Sequence, residues 1–199
     1  MKQRLFAIGD IHGYLEPLNT LLEQVPFAEG QIIFLGDYVD KGPNVKGVLE
    51  RLIELGKESD CIFLRGNHDQ LFLDAHLDSK DVMMWECLAG KNPLSSYGDG
   101  NSEEVLGLVP NSHWEFLQST CRLFYETADF IFVPAGIQSH LSPENEDRDR
   151  ILWSSLSLSS PHDSGKTVIC GHTSQESGNI ADRGHTICID TGITREGWL

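Results

Sequence analysis

Three short motifs in the first third of the chain combine metal-binding and acid–base side chains with glycine. They read Gly-Asp-Ile-His-Gly at residues 9–13, Gly-Asp-Tyr-Val-Asp-Lys-Gly at residues 36–42 and Arg-Gly-Asn-His-Asp at residues 65–69. Carboxylate, imidazole and amide groups are ligands for divalent metal ions, and histidine also transfers protons near neutral pH. One such motif arises easily by chance, whereas three in succession indicate a metal site.

Each motif follows a short apolar run that has the length of a buried strand. These runs are residues 5–8, 32–35 and 61–64. Residues 15–25 and 44–55 lie between them and repeat apolar side chains at helical spacing. This order predicts a largely parallel sheet, whose carboxyl-terminal edge would collect the motifs. A Gly-His-Thr turn at residues 171–173 follows another apolar run, 167–170, and is expected at the same edge.

The remaining sequence predicts a mixture of helices, strands and exposed loops. The apolar spacing is mostly helical from residue 71 to residue 119, with a polar loop around residues 90–101. Further strands are expected at residues 130–133 and 185–190. With 199 residues and no internal repeat, the chain is expected to form a single domain over residues 1–199.

The composition narrows the classes of function. A formal net charge of -15 disfavours binding to nucleic acid, and also means that an anionic substrate needs local positive charge, which metal ions would supply. No apolar run approaches the length of a membrane span, and the N-terminal residues do not form a signal-peptide pattern, so a cytoplasmic location is expected. The five scattered cysteines are interpreted as buried free thiols.

With these motifs the chain resembles the phosphoprotein phosphatases of the calcineurin-like metallophosphoesterase superfamily, in particular the small bacterial members. Their pattern is Gly-Asp-x-His-Gly, Gly-Asp-x-Val-Asp-Arg-Gly and Arg-Gly-Asn-His-Glu/Asp, and the resemblance extends from residue 9 to the C-terminus. It implies an α/β fold of two mixed β-sheets that form a sandwich flanked by helices. It also implies two divalent metal ions, manganese first, with iron or zinc as alternatives.

The resemblance implies a ligand set for both ions. Asp10 and His12 would hold the first metal, and Asp37 would bridge the two. Asn67 and His172 would hold the second metal. Two such ions activate a water molecule and neutralise phosphoryl oxygens.

The resemblance also implies roles in proton transfer and phosphate binding. His68 would protonate the leaving oxygen, and Asp40 would orient the His68 ring. Lys41 and Arg65 would be the cations that bind the phosphate group. Lys41 replaces the usual arginine of the family and so offers a point charge in place of a bidentate fork.

The sequence departs from the family pattern at the second metal. Family members carry His-Ala-Gly after the strand at residues 130–133, and that histidine is a ligand of the second metal. This chain has Pro134 there, which has no ligating side chain, so the second site is expected to bind metal more weakly. His140 lies on the following loop and could replace the lost ligand, although a surface position is favoured.

Two further departures concern phosphate binding and the end of the chain. Ser154 and Ser155 follow Trp153 where similar bacterial chains place an arginine, so one phosphate-binding cation is expected to be missing. Family sequences also continue beyond the equivalent of Leu199 with another strand, so a C-terminal strand is expected to be lacking and to leave an open sheet edge.

Three functions remain open from the sequence. The favoured one is a serine/threonine protein phosphatase or broad phosphomonoesterase that acts on phosphoproteins or small phosphoesters. The second is a hydrolase of diadenosine tetraphosphate or related nucleotides. The Lys-Gly-Pro sequence at residues 41–43 resembles the corresponding motif of such hydrolases. The third is a catalytically impaired homologue that binds metal and phosphate. Asp190 is left open between a residue that points at the site and a turn cap, with the cap at least as favoured. Trp85 is interpreted as a core or rim aromatic and His113 as a solvated histidine.

Overall fold

Three parallel strands and their connecting helices build the first sheet. In the computed structural model, which describes residues 4–90, 94–195 and 197–199, the strands lie in the order β1, β2, β3. They are β1 (Arg4–Ile8), β2 (Gly30–Phe34) and β3 (Cys61–Phe63). The connecting helices are α1 (Leu15–Leu22) and α2 (Val45–Glu58). The three predicted strands are confirmed to within two residues.

Helix α2 shows why the apolar spacing predicted a helix. The side chain of Asn44 caps its N-terminus by accepting a hydrogen bond from the Gly47 N–H at 2.9 Å. Its buried residues are Val45, Val48, Leu49, Leu52 and Leu55. They recur at intervals of three and four residues and pack into the core beside the first sheet.

The segment after β3 is helical, as predicted. Its helices are α3 (Asn67–Leu77), α4 (Val82–Ala89), α5 (Ser102–Leu106) and α6 (Asn111–Glu115), and a π-helical turn (Phe116–Thr120) continues α6. Residues 91–93 of the predicted polar loop lie outside the described residues. None of the helices in the described part of the chain has the length and apolar character needed to cross a membrane.

The second sheet has five strands in the order β4-β5-β6-β8-β7. They are β4 (Tyr125–Glu126), β5 (Phe130–Phe132), β6 (Thr167–Cys170), β7 (Ala181–Asp182) and β8 (Thr186–Cys188). The three central strands are parallel, and the two outer ones pair antiparallel to them. The predicted α/β fold of two sheets is confirmed, but only this second sheet is mixed, since the described strands of the first are all parallel. Because β7 covers its outer side, β8 is not an edge strand.

Alternating side chains of the strands join the two sheets into a sandwich. The buried residues between the sheets are Ile33, Leu35, Leu64, Phe132 and Ile169. Their neighbours Ile131, Val133, Val168 and Cys170 face the opposite side, where they pack with Ile151 of α7 (Arg148–Trp153). This period of two fixes which side chains of each strand face the space between the sheets.

Candidate metal centre

The predicted motifs meet in one cleft at the carboxyl ends of the strands of both sheets. The cleft has a volume of about 430 Å³. The predicted site residues that line it are Asp10, His12, Asp37, Lys41, Asn67, His68 and His172. The first sheet and the segments after its strands supply six of them, and the turn after β6 supplies His172. The expectation that parallel strands gather these turns is therefore confirmed.

The turns that carry these residues have an unusual backbone. Among the described residues, the non-glycine residues with positive φ are His12, Asp37, Asp40, Lys41 and His172. All five are predicted site residues. A left-handed conformation is costly for residues with a Cβ atom, and it persists only where the surrounding structure enforces it. The strain is therefore concentrated where the chemistry is expected.

Two glycines of the motifs are required by close approach. A Cβ atom on Gly66 would lie 2.1 Å from Asp37 Oδ1, and one on Gly171 would lie 2.2 Å from Asp10 Oδ1. Any larger residue at either position would displace a carboxylate of the site.

The first group of ligands surrounds Asp37. Metal-binding atoms of His12, Asp37 and His68 lie within 4.8 Å of one another, and all three residues are buried. His12 Nδ1 donates a hydrogen bond to the Val39 carbonyl oxygen at 2.9 Å, which leaves the lone pair on His12 Nε2, where Lys41 Nζ lies 3.2 Å away and a metal ion would take its place. Asp10 Oδ2 lies 3.9 Å from that Nε2 atom. This arrangement presents carboxylate oxygens and an imidazole nitrogen to the same space.

The second group of candidate ligands joins the first half of the chain, which forms the first sheet, to the second half, which forms the second sheet. His172 Nδ1 lies 2.8 Å from Asn67 Oδ1, so one cation can contact both atoms. The backbone N–H of His172 also lies 3.2 Å from both carboxylate oxygens of Asp10. The turn after β6 is thereby anchored directly to the turn after β1.

Burial and neighbouring charges shift the pKa values of these carboxylates. Burial, together with the negative charges of Asp190 and Asp37, raises the pKa of Asp10 well above its ordinary value. Burial acts in the same direction on Asp37, but the imidazoles of His68, His12 and His172 outweigh it and lower the pKa of Asp37. Crowded carboxylates of this kind are stabilised by a bound cation.

His68 and Asp40 form a buried hydrogen-bonded pair. His68 Nδ1 donates to Asp40 Oδ2 at 2.7 Å. Burial lowers the pKa of His68, but the hydrogen bond to Asp40 and the charges of Asp37 and Asp40 outweigh it and raise that pKa above its ordinary value. This direction favours an imidazolium that can donate a proton. The other oxygen of Asp40 accepts a hydrogen bond from the Trp85 indole at 2.8 Å.

Asp69 ties two of the motifs together. Its carboxylate accepts hydrogen bonds from the backbone N–H groups of Gly66, Asp37, Tyr38 and Val39 at 2.8–3.3 Å. Those four donors belong to the turns after β2 and β3. Sequence reasoning included Asp69 in a motif but gave it no role, because three of its four partners lie about thirty residues away in the chain.

The structure does not bring every predicted residue into the cleft. Arg65 does not line it, since Nη1 donates to the Leu117 carbonyl oxygen at 3.2 Å, in the turn after α6. His140 is exposed and lines a separate cavity, so it does not replace the missing ligand. Pro134 is buried, and its carbonyl oxygen accepts a hydrogen bond from the Gly171 N–H at 2.8 Å. Position 134 therefore lies beside Gly171, the residue that precedes His172 in the chain.

Further residues, outside the predicted ligand and catalytic sets, also line the cleft. Asp190 both caps the following turn, through a 3.0 Å hydrogen bond from the Gly192 N–H, and faces the cleft. Arg195 brings a guanidinium to the rim, with Nη1 3.8 Å from Glu176 Oε1. Trp153 also lies at the rim, where its ring meets that of His172 edge to face.

The residues of the cleft fit divalent metal ions. Three carboxylates line the cleft, those of Asp10, Asp37 and Asp190, and imidazole nitrogens lie beside them. Burial lowers the pKa of His12 to about 3, so its ring is neutral and able to ligate at pH 7. A set of hard oxygens and imidazoles matches the ligand preferences of manganese, iron and zinc. The fold and this donor set define a metal-dependent phosphoester hydrolase.

Comparison with known proteins places the chain in a family. Residues 3–192 match the family model described as calcineurin-like phosphoesterase, so the chain belongs to the calcineurin-like phosphoesterase family. This family is metal-dependent and dinuclear. The resemblance inferred from the motifs is thereby confirmed.

Individual relatives include proteins with different substrates in their names. The chain is 28% identical over 156 residues to serine/threonine-protein phosphatase 1 of Salmonella typhimurium, covering 76% of this chain and 68% of that protein. It is 25% identical over 215 residues to the asymmetrical bis(5'-nucleosyl)-tetraphosphatase PrpE of Oceanobacillus iheyensis, covering 95% and 84%. Its fold matches a crystal structure of a candidate diadenosine tetraphosphatase with a TM-score of 0.69 at 17% identity, covering 99% and 87%.

Proposed function

We propose that this chain is a metal-dependent phosphomonoesterase that acts on phosphoserine or phosphothreonine in proteins and on small phosphoesters. The observation that carries the proposal is the buried His68–Asp40 pair beside the ligand group of His12 and Asp37. A proton donor next to a metal centre serves a reaction whose leaving group is a basic alkoxide, as in a phosphoserine. The similarity to a serine/threonine-protein phosphatase supports the same substrate class.

The ligands divide into two sets in this proposal. Asp10, His12 and Asp37 would hold the first ion, with Asp37 shared, and Asn67 and His172 would hold the second. When bound, the two ions supply Lewis acidity, which neutralises phosphoryl oxygens and lowers the pKa of water. Manganese or iron suits the oxygen-rich set best, and zinc is tolerated. Pro134 leaves the second set one imidazole short, so that site is the weaker one.

His68 and Asp40 are the groups of the chain that would move the proton. Asp40 accepts the Nδ1 proton of His68 and so directs the opposite ring nitrogen, Nε2, away from itself. The Nε2–H would donate its proton to the leaving oxygen as the phosphorus–oxygen bond breaks. The raised pKa of His68 keeps that proton available near neutral pH.

Two cations of the cleft would bind the phosphoryl group. Lys41 is exposed, and its Nζ lies 3.2 Å from His12 Nε2, beside the first ligand set. Arg195 lies at the rim and would replace the arginine that is absent after Trp153. Arg65, whose guanidinium is bonded to Leu117, has no such role in this proposal.

A nucleotide polyphosphatase is the second candidate. The observation that favours it is the extent of the match to the bis(5'-nucleosyl)-tetraphosphatase, which covers 95% of this chain. The same ligands and the same acid would serve the cleavage of a phosphoanhydride. Such a leaving group is a phosphate, which needs less help from an acid than an alkoxide does.

We also propose that the enzyme acts in the cytoplasm. All five cysteines are free, and Cys87 is exposed, contrary to the expectation that all are buried. Free thiols, one of them exposed, suit a reducing compartment.

The substrate class is tested with manganese-loaded protein on a phosphoserine peptide, p-nitrophenyl phosphate and diadenosine tetraphosphate. We expect kcat/KM to be highest for the two monoesters. We expect His68→Gln to abolish turnover of the peptide while metal content stays the same. Asp149→Asn, at an exposed position of α7, is the control and should keep wild-type turnover. Preferential turnover of the dinucleotide would support the second candidate, and metal binding without any turnover would support an impaired homologue.

A further inference from the structure

The carboxylate of Asp40 is held from two sides. Oδ2 accepts the His68 Nδ1–H at 2.7 Å, and Oδ1 accepts the Trp85 Nε1–H at 2.8 Å. Asp40 is 1% exposed and Trp85 is 0% exposed, so water does not compete for either oxygen. With each oxygen committed to one donor, rotation of the carboxylate would break two buried hydrogen bonds.

Helix α4, which carries Trp85, also holds the backbone of the same turn. The Ala89 carbonyl oxygen accepts a hydrogen bond from the Lys41 N–H at 2.8 Å. Asp40 and Lys41 are in the left-handed region, with φ of 70° and 61°. A turn with two consecutive residues in this costly conformation needs such external support. Helix α4 therefore fixes both the side chain and the backbone at Asp40.

Trp85 is itself immobilised by an aromatic cluster. Its ring lies 5.5 Å from that of Phe72, and the Phe72 ring lies 4.6 Å from that of Trp114. Trp85 does not line the metal cleft, so it reaches the site only through Asp40. Trp114 belongs to the same cluster, but its ring contacts are to Phe72 and His76, not to Asp40.

We propose that Trp85 is a positioning residue of the proton donor, which it orients through Asp40. This inference rests on the proposed function, in which His68 protonates the leaving oxygen. In that step water forms a new bond to phosphorus and loses a proton to solvent, while the electron pair of the breaking phosphorus–oxygen bond goes to the leaving oxygen, which takes the His68 Nε2 proton. The imidazole becomes neutral and keeps its Nδ1–H bonded to Asp40. Without the indole N–H, one oxygen of Asp40 is unsatisfied and the alignment of the ring is lost.

The test compares substrates that differ only in how much their leaving group needs a proton. Trp85→Phe keeps an aromatic ring and removes the N–H donor. We expect kcat for phenyl phosphate to fall at least ~10-fold, a part of the ~10²–10⁴-fold that general acid catalysis supplies. The kcat for dinitrophenyl phosphate, whose leaving group departs as a stable anion, should fall less than ~2-fold on the same reasoning. KM and metal content should stay unchanged.

Trp114→Phe is the matched control, because it alters the same cluster without a contact to Asp40. We expect it to change both substrates equally and slightly. An equal loss on both substrates in Trp85→Phe, or no loss, would overturn the inference while the proposed function stands. If the wild-type protein hydrolyses neither ester, the proposed function itself is wrong, and this inference with it.

A second measurement applies even if Trp85→Phe does not fold. In ¹⁵N-labelled protein the Trp85 indole N–H should exchange slowly with solvent and should shift in Asp40→Asn. The Trp114 indole N–H should not shift. An unchanged Trp85 resonance in Asp40→Asn would contradict the hydrogen bond on which the inference depends.

Discussion

The two halves of the chain contribute to the metal centre in different ways. The turns after β1, β2 and β3 supply most of the proposed ligands and the proposed proton donor. Asp69 bonds to four backbone N–H groups there, and Trp85 bonds to Asp40. The second half contributes His172, Asp190 and Arg195 to the cleft, and carries Pro134 where the resemblance implies a histidine ligand.

This difference indicates that the ligands of one half of a shared site can change while the acid pair and the ligands of the other half are retained. His12 and Asp37 are held by hydrogen bonds within the first half. Asp10 and Asn67, by contrast, contact His172 of the second half. We therefore expect the missing imidazole at position 134 to weaken the second ion while the acid pair, His12 and Asp37 keep their contacts.

The largest expected effect is the loss of the shared carboxylate in Asp37→Asn. Asp37 is central to the first ligand group, and an amide offers a weaker ligand without charge. We expect kcat/KM to fall at least ~10³-fold, or about 4 kcal/mol of transition-state stabilisation. Steady-state kinetics with a phosphopeptide measure it. Asp190→Asn is the matched change in the second half and should cost less; an equal loss would contradict the comparison.

The next effect is on stability, in Asp69→Asn. The carboxylate has four backbone donors, whereas the amide would present its own N–H₂ group to some of them. We expect the free energy of unfolding to fall by about 3 kcal/mol, because buried donors lose their acceptor. Urea denaturation of the metal-free protein measures it. Asp74→Asn on the same helix should change stability by less than about 0.5 kcal/mol.

Acid should destabilise the first half through His113. Contrary to the expectation of a solvated histidine, His113 is buried, its Nδ1 lies 2.8 Å from the Tyr97 hydroxyl oxygen, and burial together with Lys46 lowers its pKa to about 4. Above pH ~6.5 His113 is neutral in both the folded and the unfolded protein. Between pH ~6.5 and the lowered pKa, only the unfolded protein binds the additional proton. Stability therefore falls from pH ~6.5 towards pH 4 through this residue.

His113→Gln keeps an acceptor for the Tyr97 hydroxyl and does not titrate. We expect its free energy of unfolding, followed by urea titrations at several pH values, to depend less steeply on pH between 6.5 and 5 than that of the wild type. Identical slopes for His113→Gln and the wild type would show that His113 is protonated in the folded protein.

The smallest expected effect is a gain, in Pro134→His. The carbonyl of residue 134 is bonded to Gly171, next to His172, so an imidazole there would join the second ligand set. We expect the affinity of the second manganese ion to rise about tenfold, or about 1.4 kcal/mol, in a calorimetric titration. Pro134→Ala removes the proline without adding a ligand and should leave the affinity unchanged. Equal behaviour of the two variants would refute the role given to position 134.

The ligands were predictable because they follow directly from strands with clear apolar runs. Asp10, Asp37 and Asn67 each lie within a few residues of a predicted strand end, and parallel order brings those ends together. The resemblance to a family then assigned their roles. By the same logic the two-residue strands β4 and β7 were missed, because two residues show no alternation.

The remaining features depend on contacts that local spacing does not encode. The bond from Trp85 to Asp40 spans 45 residues, and that from Arg65 to Leu117 spans 52. Arg65 was predicted to bind phosphate from its place in a motif, and the sequence did not show that its Nη1 donates to the Leu117 carbonyl oxygen in the turn after α6. His113 was predicted to be solvated because the sequence does not show the Tyr97 hydroxyl beside it.

The proposal that the two ligand sets bind metal with unequal affinity is tested most directly by titrating metal-free protein with manganese. The titration is followed by calorimetry and by the electron paramagnetic resonance of free Mn²⁺. We predict two ions per chain, with the first bound at least ~10-fold more tightly than the second, a difference of about 1.4 kcal/mol. In Asp10→Ala the tight site should be lost, and in His172→Ala the weak one. Two sites of equal affinity in the wild type, or loss of the tight site in His172→Ala, would contradict this account.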